Sequence, residues 1–166
     1  MCRLCILLLL AMPALWGAED WGPLEFLVGH WTGEGGGGPG QGAGAFSFEP
    51  DLQGKVLIRK NFAEYPATDG KPGSRHDDLT IIFRDERSHE LRATYFDNEG
   101  HVIPYVVKPH EGGVVFESER SANAPGYRLT YLRDGAGRVR IRFEIAAPGK
   151  EFTNYIEATA RRDPAR

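Results

Sequence analysis

The stretch Arg138-Val139-Arg140-Ile141-Arg142-Phe143-Glu144-Ile145 alternates charged and apolar residues without a break. A period of two puts Val139, Ile141, Phe143 and Ile145 on one face of a strand and the charges on the other. That is the pattern of an antiparallel strand with one buried and one wet face. Just ahead, Arg133-Asp134-Gly135-Ala136-Gly137 reads as a hairpin turn whose glycines can take positive φ. Tyr127–Leu132 reads as the strand before that turn. The rhythm extends upstream and downstream. Strands are predicted over 28–35, 43–48, 55–65, 78–84, 91–96, 101–108, 114–119 and 152–160. Turn chemistry separates them, as in the Pro66–Ser74 loop, the polar Asp85–Glu90 segment, Asp97-Asn98-Glu99-Gly100 and His110-Glu111-Gly112-Gly113. Helical signals are nearly absent. The one candidate is a turn or two over Trp21–Leu27, with Asp20 as its cap and Pro23 in its first turn.

Such a chain is all-β. With short connections and no helical crossovers, its roughly ten strands pair antiparallel and in sequence order. An open sheet of that size exposes two edges, and closure into an up-and-down barrel removes them. A barrel of about ten strands is wider than its own side chains fill, so an internal cavity is expected. A two-sheet sandwich is the alternative fold. It requires longer crossings than most of these turns provide.

Residues 1–18 read as a secretory signal and 19–166 as a single barrel domain. Met1–Arg3 carry one positive charge, Leu4–Leu15 are almost wholly apolar, and Gly17-Ala18 precede Glu19-Asp20. The apolar run is shorter than the roughly 20 residues of a membrane span. An uncleaved anchor is the competing reading. Both cysteines, Cys2 and Cys5, lie within this segment. The mature domain is therefore cysteine-free, exported to a periplasmic or secreted location, and stabilised by core burial alone. The formal net charge is −3, with both signs interspersed and no basic stripe, which argues against a nucleic-acid partner. The basic end at Arg161-Arg162 is short and reads as solvated.

Phe26-Leu27-Val28-Gly29-His30-Trp31-Thr32-Gly33-Glu34-Gly35 places a Gly-x-Trp at the first strand, after a short helical lead-in. On these residues the chain resembles the calycins, the superfamily of lipocalins, fatty-acid-binding proteins and related barrels. It is most similar to an uncharacterised bacterial group of exported lipocalin-like barrels, and more distantly resembles nitrobindin-like haem barrels. The resemblance implies that Trp31 closes the barrel floor and that a late arginine, Arg161 or Arg162, covers its ring. A haem in the nitrobindin manner requires a histidine late in the chain. The last histidine here is His110, so no cofactor is expected.

The residues that carry chemistry form no strong catalytic motif. The glycine run Gly33–Gly44 lacks a following Gly-Lys-Ser/Thr and a helix, so it reads as a bending connection rather than a phosphate loop. In His76-Asp77-Asp78, strand geometry puts His76 and Asp78 on one side, where two metal ligands or a general base can meet; no third ligand is identifiable, so no metal is expected. His101 begins a strand and can reach the same rim. Arg59, Arg92 and Arg128 interrupt apolar strands. As in fatty-acid carriers, they can pair with a ligand carboxylate, while Tyr95, Tyr105, Tyr131 and Tyr155 supply hydroxyls and ring faces. The alternative is that these arginines lie outside on apolar surface. Serine or thiol catalysis has no support. Three functions remain. The first is a carrier holding a small hydrophobic or amphipathic molecule. The second is an isomerase or hydrolase using His76, Asp78 and His101. The third is a filled structural barrel. The oligomeric state is not fixed by the sequence.

Overall fold

A computed structural model describes residues 20–35, 43–67, 70 and 72–164. The segment read as an export signal and residues 36–42 of the glycine run lie outside the described residues. The strands are β1 (Gly29–Gly33), β2 (Ala43–Asp51), β3 (Val56–Tyr65), β4 (Ser74–Arg84), β5 (Leu91–Asp97), β6 (Val102–His110), β7 (Gly113–Ser118), β8 (Gly126–Arg133), β9 (Arg138–Ala146) and β10 (Thr153–Arg162). Each pairs antiparallel with its sequence neighbour, and β1 pairs with β10, which closes a ten-stranded barrel. The architecture is consistent with a calycin-like fold. Among the described residues every strand has a neighbour on both sides, so closure leaves no edge strand.

Most predicted boundaries move by one to three residues, and one moves further. β4 begins at Ser74 rather than Asp78, so His76 and Asp78 lie inside a strand, opposite Ala63 and Asn61 of β3. The helical lead-in is a 3-10 turn over Gly22–Leu27. Asp20 sits one residue before its N-cap, Trp21, and accepts from the Gly22 N–H at 2.8 Å. Among the described residues no helix is long and apolar enough to cross a membrane.

Inward and outward faces follow from the register. Trp31 lies opposite Phe46, Phe48 opposite Arg59, Leu57 opposite Ile82, and Val114 opposite Tyr131. These positions line the inside. The 3-10 turn crosses one end, where Leu24 and Leu27 are fully buried and Trp21 nearly so. With Trp31, Phe48, Leu57, Ile82, Val114, Phe116, Tyr131 and Val139 they form a packed floor. Its rings are in contact: Trp31 stacks on Phe46 at 5.9 Å, and Tyr131 meets Phe48 at 5.6 Å and Phe116 at 6.0 Å.

The Gly-x-Trp segment has a physical reason. Trp31 donates from Nε1 to the Leu27 carbonyl at 2.8 Å, which ties the first strand to the crossing turn. Arg162, not Arg161, covers the indole at 4.4 Å and donates to the Val28 and Phe26 carbonyls. Gly29 has φ +118°, and a Cβ there would lie 2.8 Å from an Arg162 nitrogen. The residue is glycine both for the backbone angle and for the arginine passing over it.

Candidate functional site

The end away from the 3-10 turn is where β1, β3, β5, β7 and β9 finish. Below it the inner faces of two groups of strands confront each other. On β3–β5 the inward row is polar: Arg59 and Asn61, then Asp78 and Thr80, then Tyr95 and Asp97, all matched by register. On β8–β10 it is apolar and aromatic: Tyr127 and Leu129, then Ile141 and Phe143, then Ile156. These five residues are only partly buried. In a closed barrel an inward side chain keeps accessible surface only where it borders an open interior. The upper half of the barrel is therefore a chamber, with one polar wall and one apolar wall, above a packed floor.

The polar wall holds two hydrogen-bonded groups, one on Asp78 and one on Asp97, with His76 Nε2 3.6 Å from Asp78 between them. Arg59 donates to Asp78 through Nη1, and both side chains are nearly inaccessible, 8% and 4% exposed. Asn61 donates to the other Asp78 oxygen at 2.7 Å. His76 places Nε2 3.0 Å from the Tyr95 hydroxyl and Nδ1 3.1 Å from Glu99. Tyr95 donates to Asp97 at 3.1 Å, and the same oxygen lies 2.8 Å from His101 Nδ1. The other Asp97 oxygen accepts the backbone N–H groups of Glu99 and His101, each at 2.9 Å.

Burial and charge set the proton affinities. Burial opposes the Arg59 charge, but Asp78, Tyr131 and Tyr95 outweigh it and hold the guanidinium above its usual value. Burial, with Asp78 and Asp97 nearby, pushes the Tyr95 phenol up. Burial also raises Tyr105, and takes Tyr131 up to about 12, in both cases with Arg59 opposing. Asp97 goes the other way. Burial favours its protonation, but the hydrogen bonds from His101, Tyr95 and Glu99 prevail and bring it down to about 2. Its side chain is only 3% exposed and is held in the ionised form by these donors.

Of the residues expected to form the site, the register turns Arg59, Tyr95, Tyr105, Tyr131 and His76 inward, and His101 joins the network from the turn after β5. Tyr105 sits against Phe116 at 6.2 Å, in the floor. Tyr155 occupies a bulge in β10, 68% exposed, its ring 6.2 Å from Phe143 at the rim. Arg92 and Arg128 are turned outward. Arg92 pairs with Glu90 at 2.8 Å; Arg128 holds Glu144 with two hydrogen bonds and lies 4.1 Å over Phe152. The surface reading holds for both.

Asn61, Thr80, Asp97, Tyr127 and Phe143 also belong to the chamber or its network, and no sequence motif marks them as site residues. In sequence Asp97 opens the turn Asp97-Asn98-Glu99-Gly100. The parity of β3, counted from its register with Phe46 and Phe48, is the signal that finds Asn61.

An open depression of about 380 Å³ lies on the sheet behind the polar wall, lined by Lys60, Asn61, Asp77, Asp78, Leu79, Phe96 and Asp97. Lys60, Leu79 and Phe96 are register partners on the outer face, so this depression is not the chamber. Among the described residues no group of three or more His, Cys, Asp or Glu side chains is arranged to hold a metal ion. No protein-family model matches the chain, and no curated protein sequence matches it.

Proposed function

We propose that the protein is an exported, lipocalin-like carrier that holds a small amphipathic molecule in the upper half of its barrel. One observation carries this reading: Leu129, Ile141, Phe143 and Ile156 face inward yet remain partly open, opposite a wall of polar side chains. An apolar surface left accessible inside a closed barrel gains free energy when a ligand covers it, at about 25 cal/mol per Å². Concave, mostly apolar sites with a few fixed polar groups are the usual form of small-molecule pockets. Native mass spectrometry of the protein isolated from its producing cells should show a retained small molecule. A hydrophobic dye should bind the stripped protein and lose its fluorescence after Phe143→Trp narrows the chamber. A protein that is empty and blind to the dye sinks the carrier reading.

A second reading is acid–base chemistry at the rim, favoured by the chain His76–Tyr95–Asp97–His101, whose atoms are within hydrogen-bonding distance throughout. It predicts turnover that His76→Ala and His101→Ala each reduce by about 100-fold. Turnover in both variants equal to that of the unaltered protein excludes it.

A further inference from the structure

His76 stands between the two groups of the polar wall. Its Nδ1 is 3.1 Å from a Glu99 oxygen, its Nε2 is 3.0 Å from the Tyr95 hydroxyl, and an Asp78 oxygen lies 3.6 Å from Nε2. The partners come from three places: Glu99 from the turn after β5, Tyr95 from β5, and Asp78 from the strand of His76 itself. His76 faces inward on the same parity as Asp78, so Glu99 reaches over the rim to meet it. Other charged and titratable groups stand around them. Asp77 is next to His76 on the outer face, paired with Arg75. From β3 come Ala63 as register partner, Arg59 bound to Asp78, and Tyr65 near Glu99. Beyond Tyr95 are Asp97 and His101.

This series of contacts can be counted in protons. Glu99 to His76, His76 to Tyr95 and Tyr95 to Asp97 are three hydrogen bonds and need three protons. As carboxylates, Glu99 and Asp97 only accept. Tyr95 keeps its single proton, because burial pushes the phenol up, and gives it to Asp97. The other two have to come from His76, one on each ring nitrogen. The series is therefore complete only when His76 is an imidazolium. His101 differs: its Nδ1 meets the single acceptor Asp97, and one proton serves that contact.

With one ring proton, one link goes. Around Nε2 the surroundings are closed: the Asp78 side chain is 4% exposed and Tyr95 is partly buried. At Nδ1 the Glu99 side chain is 62% exposed, and water can take the place of the ring. Leaving a buried group unpaired costs more than hydrating an exposed one. The remaining proton therefore stays on Nε2, and Glu99 lets go.

We propose that His76 is a proton-operated clasp at the mouth of the chamber. With two ring protons it ties β4, β5 and the turn after β5 together through Tyr95 and Glu99; with one it releases Glu99. Histidine ordinarily exchanges this proton between about pH 5 and 8, so the clasp works across neutral pH. The effect of the clasp on ligand exchange rests on the carrier reading above; the clasp itself does not.

NMR of the folded, isotope-labelled protein tests it. At about pH 5.5 both His76 ring nitrogens should carry protons, and at about pH 8 only Nε2. The Glu99 carboxyl carbon should shift in the same titration. That shift should vanish in His76→Gln and persist in His101→Gln. A Glu99 carboxyl that does not move, or that follows His101 instead, overturns the inference, and so does a proton left on Nδ1 at the higher pH. The titration of the unaltered protein needs no variant to fold. The second readout is dye exchange. A bound hydrophobic dye should leave about fivefold faster at the higher pH, the effect of one lost hydrogen bond, and at equal rates in His76→Gln. Equal rates at the two pH values in the unaltered protein overturn the clasp as a control of the mouth. A dye that never binds overturns the carrier reading, and the NMR titration then decides the clasp alone.

Discussion

The two ends of the barrel are built from the same strands and do opposite things with them. β8 shows it in one element: Tyr131 is fully buried among Phe46, Phe48 and Phe116, while Leu129 and Tyr127 above it are partly open. β3 does the same, passing from Leu57 in the floor to Arg59 and then to Asn61 on the chamber wall. At the closed end the aromatic rings and the crossing turn exclude water, and packing supplies the stability. At the open end the inner wall is left either uncovered or hydrogen-bonded within itself. The comparison teaches that stability and ligand capture are divided along the barrel axis rather than between separate elements. A substitution's effect therefore depends on its height in the barrel.

The largest test of this division pairs two phenylalanines. Phe48→Ala in the floor should cost about 3–5 kcal/mol, whereas Phe143→Ala in the chamber should cost about 1–2 kcal/mol. Phe143→Ala should instead alter dye or probe affinity. Chemical denaturation of both variants measures this, and equal losses would erase the distinction between the two ends.

The next effect concerns the boundary between them. Asp78→Ala leaves the Arg59 charge buried and unmatched, and should cost about 3 kcal/mol or more. Arg59→Met with Asp78→Leu removes the whole pair and should come out near neutral. A double variant as unstable as the single one would show that the pair itself stabilises the wall.

Smaller effects sharpen each end in turn. Arg162→Met removes the cation over Trp31 and two carbonyl hydrogen bonds at the exposed edge of the floor, with an expected loss of about 1 kcal/mol in thermal unfolding. At the open end Asp97 provides a pH signature. Its folded-state value, about 2, lies below the unfolded value. Its contribution is therefore fully present above about pH 4 and is lost as the pH falls toward 2. Asp97→Asn should flatten that part of the stability curve. An unchanged acid slope would show that the carboxylate is not held by its four donors.

Much of the fold was legible because strand period and turn chemistry are local. β9 alternates cleanly, and its inner face was read correctly as Val139, Ile141, Phe143 and Ile145. The site was less legible, and β3 shows why. Its outer face carries Ile58 and Phe62 while its inner face carries Arg59 and Asn61, so hydrophobicity marks the wrong side. The arginines illustrate the same limit. Arg59, Arg92 and Arg128 all interrupt apolar runs, yet only Arg59 shares a parity with the floor. Asp97 reads as a turn residue, but the turn that follows it supplies the backbone donors that hold its charge inside.

By itself the sequence determined an all-β chain of about ten antiparallel strands, a tryptophan at the first of them, and a short lead-in turn. Those follow from alternation, glycine placement and turn residues, each acting over a few positions. Only the tertiary structure decided which arginine covers Trp31, which face of β3 points inward, and which side chains meet across the chamber. Closure of β1 onto β10 sets a single register for every strand between them. A period of two leaves each strand's facing undecided until that register is fixed.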